Sequence, residues 1–123
     1  MSFVYKADPV RGARWAQLFA EQAPHIPFRL WPDIGDPAAV RYLATWVPPA
    51  DLHRTFPNLQ AVFSVGAGVD QIDMQAVPAH VPIVRMIEPG ITDRMVEYVT
   101  HAVLTLHRGF RRYDALQTQA RGL

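Results

Sequence analysis

The chain has 123 residues, 50% of them hydrophobic, enough for one compact core and too few for two independent ones. Twelve Lys and Arg stand against eleven Asp and Glu, a formal net charge of +1, so no long-range field points to nucleic acid or to an anionic membrane. Cysteine is absent, which excludes disulfides and thiolate metal sites, and no apolar run approaches the roughly 18 residues that span a bilayer. The opening MSFVYKADPV has neither a basic n-region nor a long apolar h-region, so the default is a cytoplasmic protein.

Short apolar runs rich in Val, Phe, Tyr and Leu recur at residues 3–7, 27–31, 41–46, 60–65 and 82–87, each bounded by Pro, Gly, Asp or Asn. They predict five short strands. Between the first two, Val10, Trp15, Leu18 and Phe19 fall broadly on one helical face, and Pro9 suits a first turn. The gaps after the third and fourth runs have room for about two helical turns each, stopped by flanking prolines. Strands alternating with helices imply βαβ units and a mainly parallel five-stranded sheet with helices on both faces, an α/β domain that favours ligands at the strands' carboxyl ends.

The last third differs. From Thr92 no Gly or Pro appears until Gly109, and Met95, Val99, Ala102, Val103, Leu106, Phe110 and Tyr113 recur at three- and four-residue steps. The pattern predicts one long amphipathic helix capped by Thr92, with Asp93 near its positive end and Arg108, Arg111 and Arg112 toward its negative end. At about 1.5 Å per residue it would run some 35–40 Å, more than a small domain needs, so its stripe is expected to be covered by a second copy or another domain. The closing QTQARGL supplies no further strand and reads as a truncation.

The segment FPNLQAVFSVGAGVDQID, residues 56–73, carries an apolar run straight into Gly66, Ala67 and Gly68. Three uses of the glycines stay open. A dinucleotide fingerprint would use Gly66 and Gly68 and find a ribose-binding acid in Glu88, but its third glycine position is Gln71. Exposed amides over residues 66–69 could instead form a nest for a small carboxylate, or the glycines could simply make a turn. Trp46, at the end of the third run before VPP, lies at the same sheet edge, either as a core tryptophan or as the wall of a small pocket over the loop.

The histidines do not space as metal ligands: His101 and His107 are six apart on different helix faces, and His53 and His80 are isolated in loops. Glu97 near the helix start is explained by the helix dipole, and the Arg108, Arg111 and Arg112 group by a solvated helix end. No catalytic residue is assigned in this chain.

Four collinear blocks carry a more specific signal: ATWVPP (44–49), FPNLQAVFSVGAGVDQI (56–72), VPIVRMIEPGITDRMVEYVTHAVL (81–104) and HRGFRRYDALQTQ (107–119). Together they resemble the amino-terminal part of the D-isomer-specific 2-hydroxyacid dehydrogenases, close to the glyoxylate/hydroxypyruvate reductase A branch; residues 1–43 match mainly in predicted topology. The resemblance implies a flavodoxin-like substrate-binding domain over 1–90 and, over 91–123, a long helix leading to an NAD(P)-binding domain. It implies that the Ala67 and Gly68 amides, on a loop shaped by Gly66, receive a 2-oxo acid carboxylate beside Trp46, and that Met95 lies on the nicotinamide side. The cofactor fingerprint, clamping arginine and acid–histidine pair of that family have no counterpart here, so no cofactor is expected on this chain alone, and neither is turnover. The expected partners are a small 2-oxo or 2-hydroxy acid and a second copy through the long helix, with no nucleic acid and no membrane. The alternatives are a stand-alone flavodoxin-like module that binds an anion and self-associates without catalysis, and a Rossmann fragment.

Overall fold

The computed structural model of the chain describes residues 1–120, so the last three residues of QTQARGL, on which the reading of a truncated end partly falls, lie outside it. The chain separates into two compact units, Met1–Ile87 and a second from Glu88 onward.

In the first unit all five apolar runs form strands: β1 (Ser2–Lys6), β2 (Phe28–Leu30), β3 (Val40–Thr45), β4 (Ala61–Ser64) and β5 (Ile83–Val84). Every neighbouring pair is parallel, in the order β2-β1-β3-β4-β5, the flavodoxin-like doubly wound arrangement. The two-residue period of the strands divides the core between two faces. Val4, Leu43 and Val62 point to one side, where Leu52, Phe56, Leu59, Ile72, Val77 and Val81 close over them. Phe3, Tyr5 and Ala44 point to the other, against Trp15, Phe19, Phe28 and Phe63. That second face is largely aromatic, with Phe19 and Phe28 ring centroids 4.6 Å apart and Tyr5 and Trp15 5.2 Å apart.

Helix α1 (Pro9–Gln22) starts as its residues dictate: Pro9 occupies the first turn, and the Asp8 carboxylate accepts from the Arg11 amide at 2.7 Å. Its inner stripe is Gly12, Trp15 and Phe19. Val10, expected inside, is 79% exposed, because that stripe turns it outward. Gly12 lets the helix approach the sheet: a Cβ there would lie 2.9 Å from Leu30 Cδ2 and 3.0 Å from the Tyr5 ring.

The two later crossovers are shorter than the gaps allowed. After β3, α2 (Leu52–Thr55) is a single turn, because Phe56 precedes Pro57 and is steered out of the helical region. After β4 the expected helix does not form. Its place is taken by turns, with the Ile72 amide donating to Val69 O, Ala76 to Asp73 O and Val81 to Pro78 O. The Asp73 carboxylate accepts from the Gln75 amide at 2.9 Å and Pro78 follows closely, so local turn chemistry wins over helix nucleation.

In the second unit, the long helix α3 (Pro89–Arg108) begins a turn earlier than expected. Pro89 enters the first turn and Glu88 is the N-cap residue, so Thr92 does not cap it. Instead of continuing to Tyr113, the helix ends at Gly109, which sits in the left-handed region (φ 64°), and α4 (Phe110–Gln119) restarts beyond it. Arg108 therefore closes α3, whereas Arg111 and Arg112 stand in the first turn of α4. Along α3, Met95, Val99, Val103 and Leu106 are 49–75% exposed. No helix among the described residues is long and apolar enough to cross a membrane.

Candidate functional site

The strand order reverses between β1 and β3, and at such a switch point the crevice beyond the strands' carboxyl ends is open to a ligand. A cleft of about 520 Å³ occupies that place. The segment after β1 contributes Ala7, Asp8 and Arg11, the segment after β3 contributes Trp46, and the segment after β4 contributes Val65 and Gly66.

Trp46 is 49% exposed, so it is a cleft wall and not a core tryptophan. The ladder between β1 and β3 places it: Lys6 O accepts from the Trp46 amide at 3.4 Å and from Thr45 Oγ1 at 3.0 Å, while Lys6 Nζ donates to Val47 O at 2.7 Å. Its six-membered ring lies over Gly66, where a Cβ would come within 2.7 Å of Cζ3. Trp46 and Gly66 thus line the same cleft, whereas Ala67 and Gly68 continue the loop beyond its lining residues. Met95 belongs to the second unit, 57% exposed on α3.

The loop after β4 is held through its carbonyls. Val65 O accepts from Arg11 Nη1 at 3.2 Å, Gly66 O from the Met86 amide at 3.3 Å, and Ala67 O from Arg85 Nε at 2.7 Å. Gly68 O accepts from Ser64 Oγ at 2.8 Å and from Gln71 Nε2 at 3.3 Å. All four carbonyls from Val65 to Gly68 are therefore engaged. On the donor side, the Gly66 amide gives its hydrogen to Ser64 Oγ at 3.3 Å, whereas the Ala67 and Gly68 amides have no partner among the described residues. A loop with satisfied carbonyls and unengaged amides presents positive peptide ends, which suits an anion.

This geometry removes the dinucleotide fingerprint. That motif opens a helix at the first strand, and here the glycines follow β4 and lead into turns. Gln71, at the position of the motif's third glycine, donates to Gly68 O of the loop. Arg11, Arg85, Ser64 and Gln71 were not selected from sequence as site residues. Ser64 and Arg85 each stand at or just after a strand's carboxyl end, the one signal that could have found them. His53, His80, His101 and His107 are all exposed, and none lines the cleft. Among the described residues no group of three His, Asp or Glu could hold a metal ion. The Tyr5 hydroxyl, under α1, is pushed above its ordinary pKa by burial, with Arg11 lowering it and Asp8 raising it.

Several known proteins are similar to this chain in sequence and fold. No family model matches the chain. A probable 2-hydroxyacid dehydrogenase from Rhizobium etli, solved with NADP, HEPES and L(+)-tartaric acid, superposes with a TM-score of 0.75 at 30% identity, over 96% of this chain and 38% of its own. A D-isomer-specific 2-hydroxyacid dehydrogenase from Xanthobacter autotrophicus, solved with NADPH and MES, gives 0.71 at 28% identity, over 96% and 39%. Over nearly its whole length the chain is thus a homologue of the D-isomer-specific 2-hydroxyacid dehydrogenases. Within that class its curated relatives include glyoxylate/hydroxypyruvate reductase A from Serratia proteamaculans, 30% identical over 97% of this chain, and from Salmonella paratyphi B, 32% identical over 98%. The chain spans about 40% of the length of these relatives.

Proposed function

We propose that this chain supplies the carboxylate-binding part of an enzyme that reduces a small 2-oxo acid, of the glyoxylate or hydroxypyruvate type, to the 2-hydroxy acid. The observation that carries the reading is the loop at residues 65–68, with every carbonyl engaged and the Ala67 and Gly68 amides unengaged, which begins at Val65 and Gly66 in the cleft wall shared with Trp46 at the sheet's switch point. The names of the relatives and the NADP and NADPH of the structural neighbours support the reaction class and the cofactor type.

In this reading the two amides hold the carboxylate, Gly66 shapes the loop, and the Trp46 ring confines the carbon chain of the acid and shields it from water. NAD(P)H, when bound, supplies the hydride. Met95 offers an apolar thioether at the surface, the kind of group that lies against a flat ring, and we assign it to the nicotinamide side. The first unit is the substrate-binding domain, and the helices after it lead toward the cofactor domain. No histidine lines the cleft to exchange a proton with the carbonyl oxygen, so the 123-residue chain binds the acid and does not reduce it.

The test is a titration of the ¹⁵N-labelled chain with glyoxylate. The Ala67 and Gly68 amide resonances shift together and Trp46 fluorescence changes, while NAD(P)H in the same tube is not oxidised. An acid that perturbs neither amide removes the carboxylate role, and NAD(P)H consumption removes the claim that this chain lacks turnover.

The exposed stripe on α3 favours a second component, self-association of the chain through that helix into a homodimer. Taken without catalysis, the same loop and helix describe a stand-alone anion-binding module. Activity of the gene's whole product toward glyoxylate with NADPH separates the two.

A further inference from the structure

The peptide unit is planar, and in its trans form the carbonyl and the N–H point in opposite directions, so a donor that fixes one end aims the other. None of the peptide bonds of this loop is cis. The Ala67 carbonyl belongs to the unit that carries the Gly68 N–H, and the Gly66 carbonyl to the unit that carries the Ala67 N–H. Those two carbonyls are the ones held from the chain just past β5, Ala67 O by Arg85 Nε at 2.7 Å and Gly66 O by the Met86 amide at 3.3 Å. Residues 85 and 86 therefore set the directions of both unengaged amides from behind. We propose that Arg85 is a positioning residue for the anion site, acting through the Ala67 peptide to aim the Gly68 amide without touching the ligand.

Both parts of the contact are specific. Arg85 reaches the loop across 18 residues of sequence, and the bond comes from Nε, leaving the outer nitrogens of the guanidinium outside this contact. Its role is to suppress rotation of one peptide plane. A flipped Ala67–Gly68 unit would present an oxygen where the acid needs a hydrogen, turning attraction into repulsion. Met86 does the same for the neighbouring unit through its backbone, which no side-chain change removes. The two units consequently respond differently to mutation at position 85.

The inference rests on the carboxylate reading of the loop, and the experiment separates them. Arg85→Met keeps an unbranched side chain as far as the position of Nε and removes the donor, whereas Arg85→Gln places an N–H donor at that position without the charge. In the free ¹⁵N-labelled chain, R85M moves the Gly68 amide resonance much more than that of Ala67, and R85Q leaves both near wild type. With glyoxylate as the probe, R85M weakens binding about tenfold and R85Q recovers most of the loss. The proposal is overturned if R85M leaves the Gly68 resonance and the affinity unchanged, or if R85Q behaves like R85M, which would make the effect one of charge. If the wild-type chain binds no glyoxylate, the carboxylate reading fails, and the free-chain comparison at Gly68 still decides the role of Arg85.

Discussion

The indole of Trp46 occupies the space that a side chain on Gly66 would need: a Cβ built there lies 2.7 Å from Trp46 Cζ3. Gly66 has no positive φ, so alanine meets no backbone strain, and the whole penalty comes from the ring. Because Trp46 is half exposed it can swing outward. Gly66→Ala is expected to cost about 1 kcal/mol, the low end for overpacking, and to weaken glyoxylate binding by opening the cleft wall. In a Trp46→Ala background the stability cost should vanish, and a double-mutant cycle by urea unfolding reads that coupling. Additive effects would mean that the two residues do not constrain each other.

At Gly12 the same kind of contact is more confined: Leu30 is partly exposed and can give, but the buried Tyr5 ring cannot. The atoms facing it belong to Leu30 and to Tyr5, and Tyr5 is 2% exposed between α1 and the sheet. Gly12→Ala gains helix propensity of about 1 kcal/mol and loses about 1–3 kcal/mol to overpacking, so a net loss of about 1 kcal/mol is expected. A lower urea midpoint with unchanged slope checks it. A stabilised variant would show that α1 can lift from the sheet without loss.

The Tyr5 hydroxyl is buried and has no hydrogen-bond partner among the described groups. Its folded-state pKa is raised above 10.0, so the unfolded chain loses the proton first as pH climbs. The stability contributed by the protonated phenol is complete below the unfolded value and is lost as pH rises from there through the folded value. Tyr5→Phe should abolish that part of the alkaline fall and, by removing an unpaired polar group, leave neutral-pH stability equal or higher by about 1 kcal/mol. Thermal unfolding of both proteins between neutral and alkaline pH makes the comparison, and a parallel alkaline decline in the two would refute it.

On α3, Val99 and Val103 are one turn apart on the exposed apolar stripe. Val99→Glu with Val103→Glu puts two charges into any interface formed there and should weaken self-association by tenfold or more, about 1.4 kcal/mol, without loss of helix signal. Sedimentation equilibrium of both proteins gives the answer. A wild-type chain that is monomeric at high concentration would dispose of the homodimer.

Much of the first unit was legible because its signals are local. The strands are buried on both faces and so read as short unbroken apolar runs, Pro9 marks the start of α1, and the two glycines stop β4 at the sheet edge. Trp46 and Gly66 could be placed at one edge because both end parallel strands. The missing helix after β4 was not legible, since Asp73 competes for the backbone through a side-chain bond that residue spacing does not reveal. The break at Gly109 was readable in type but lost against the periodicity running through it from Leu106 to Tyr113. Arg11 and Arg85 escaped notice for another reason. Each acts on a carbonyl brought near only by the fold, and Arg85 stands 18 residues from the oxygen it holds.

The engaged carbonyls have a consequence for selectivity. A loop with open oxygens could solvate a sodium or magnesium ion as readily as its amides could take an acid, and its preference would drift with ionic conditions. Between Val65 and Gly68 the oxygens are already spent on Arg11, Met86, Arg85, Ser64 and Gln71. Under the proposed carboxylate role, the loop would sort ligands by sign of charge and not by identity. Any discrimination between one small acid and another falls to the walls that face the carbon chain, and in this unit the largest of those is the exposed face of Trp46.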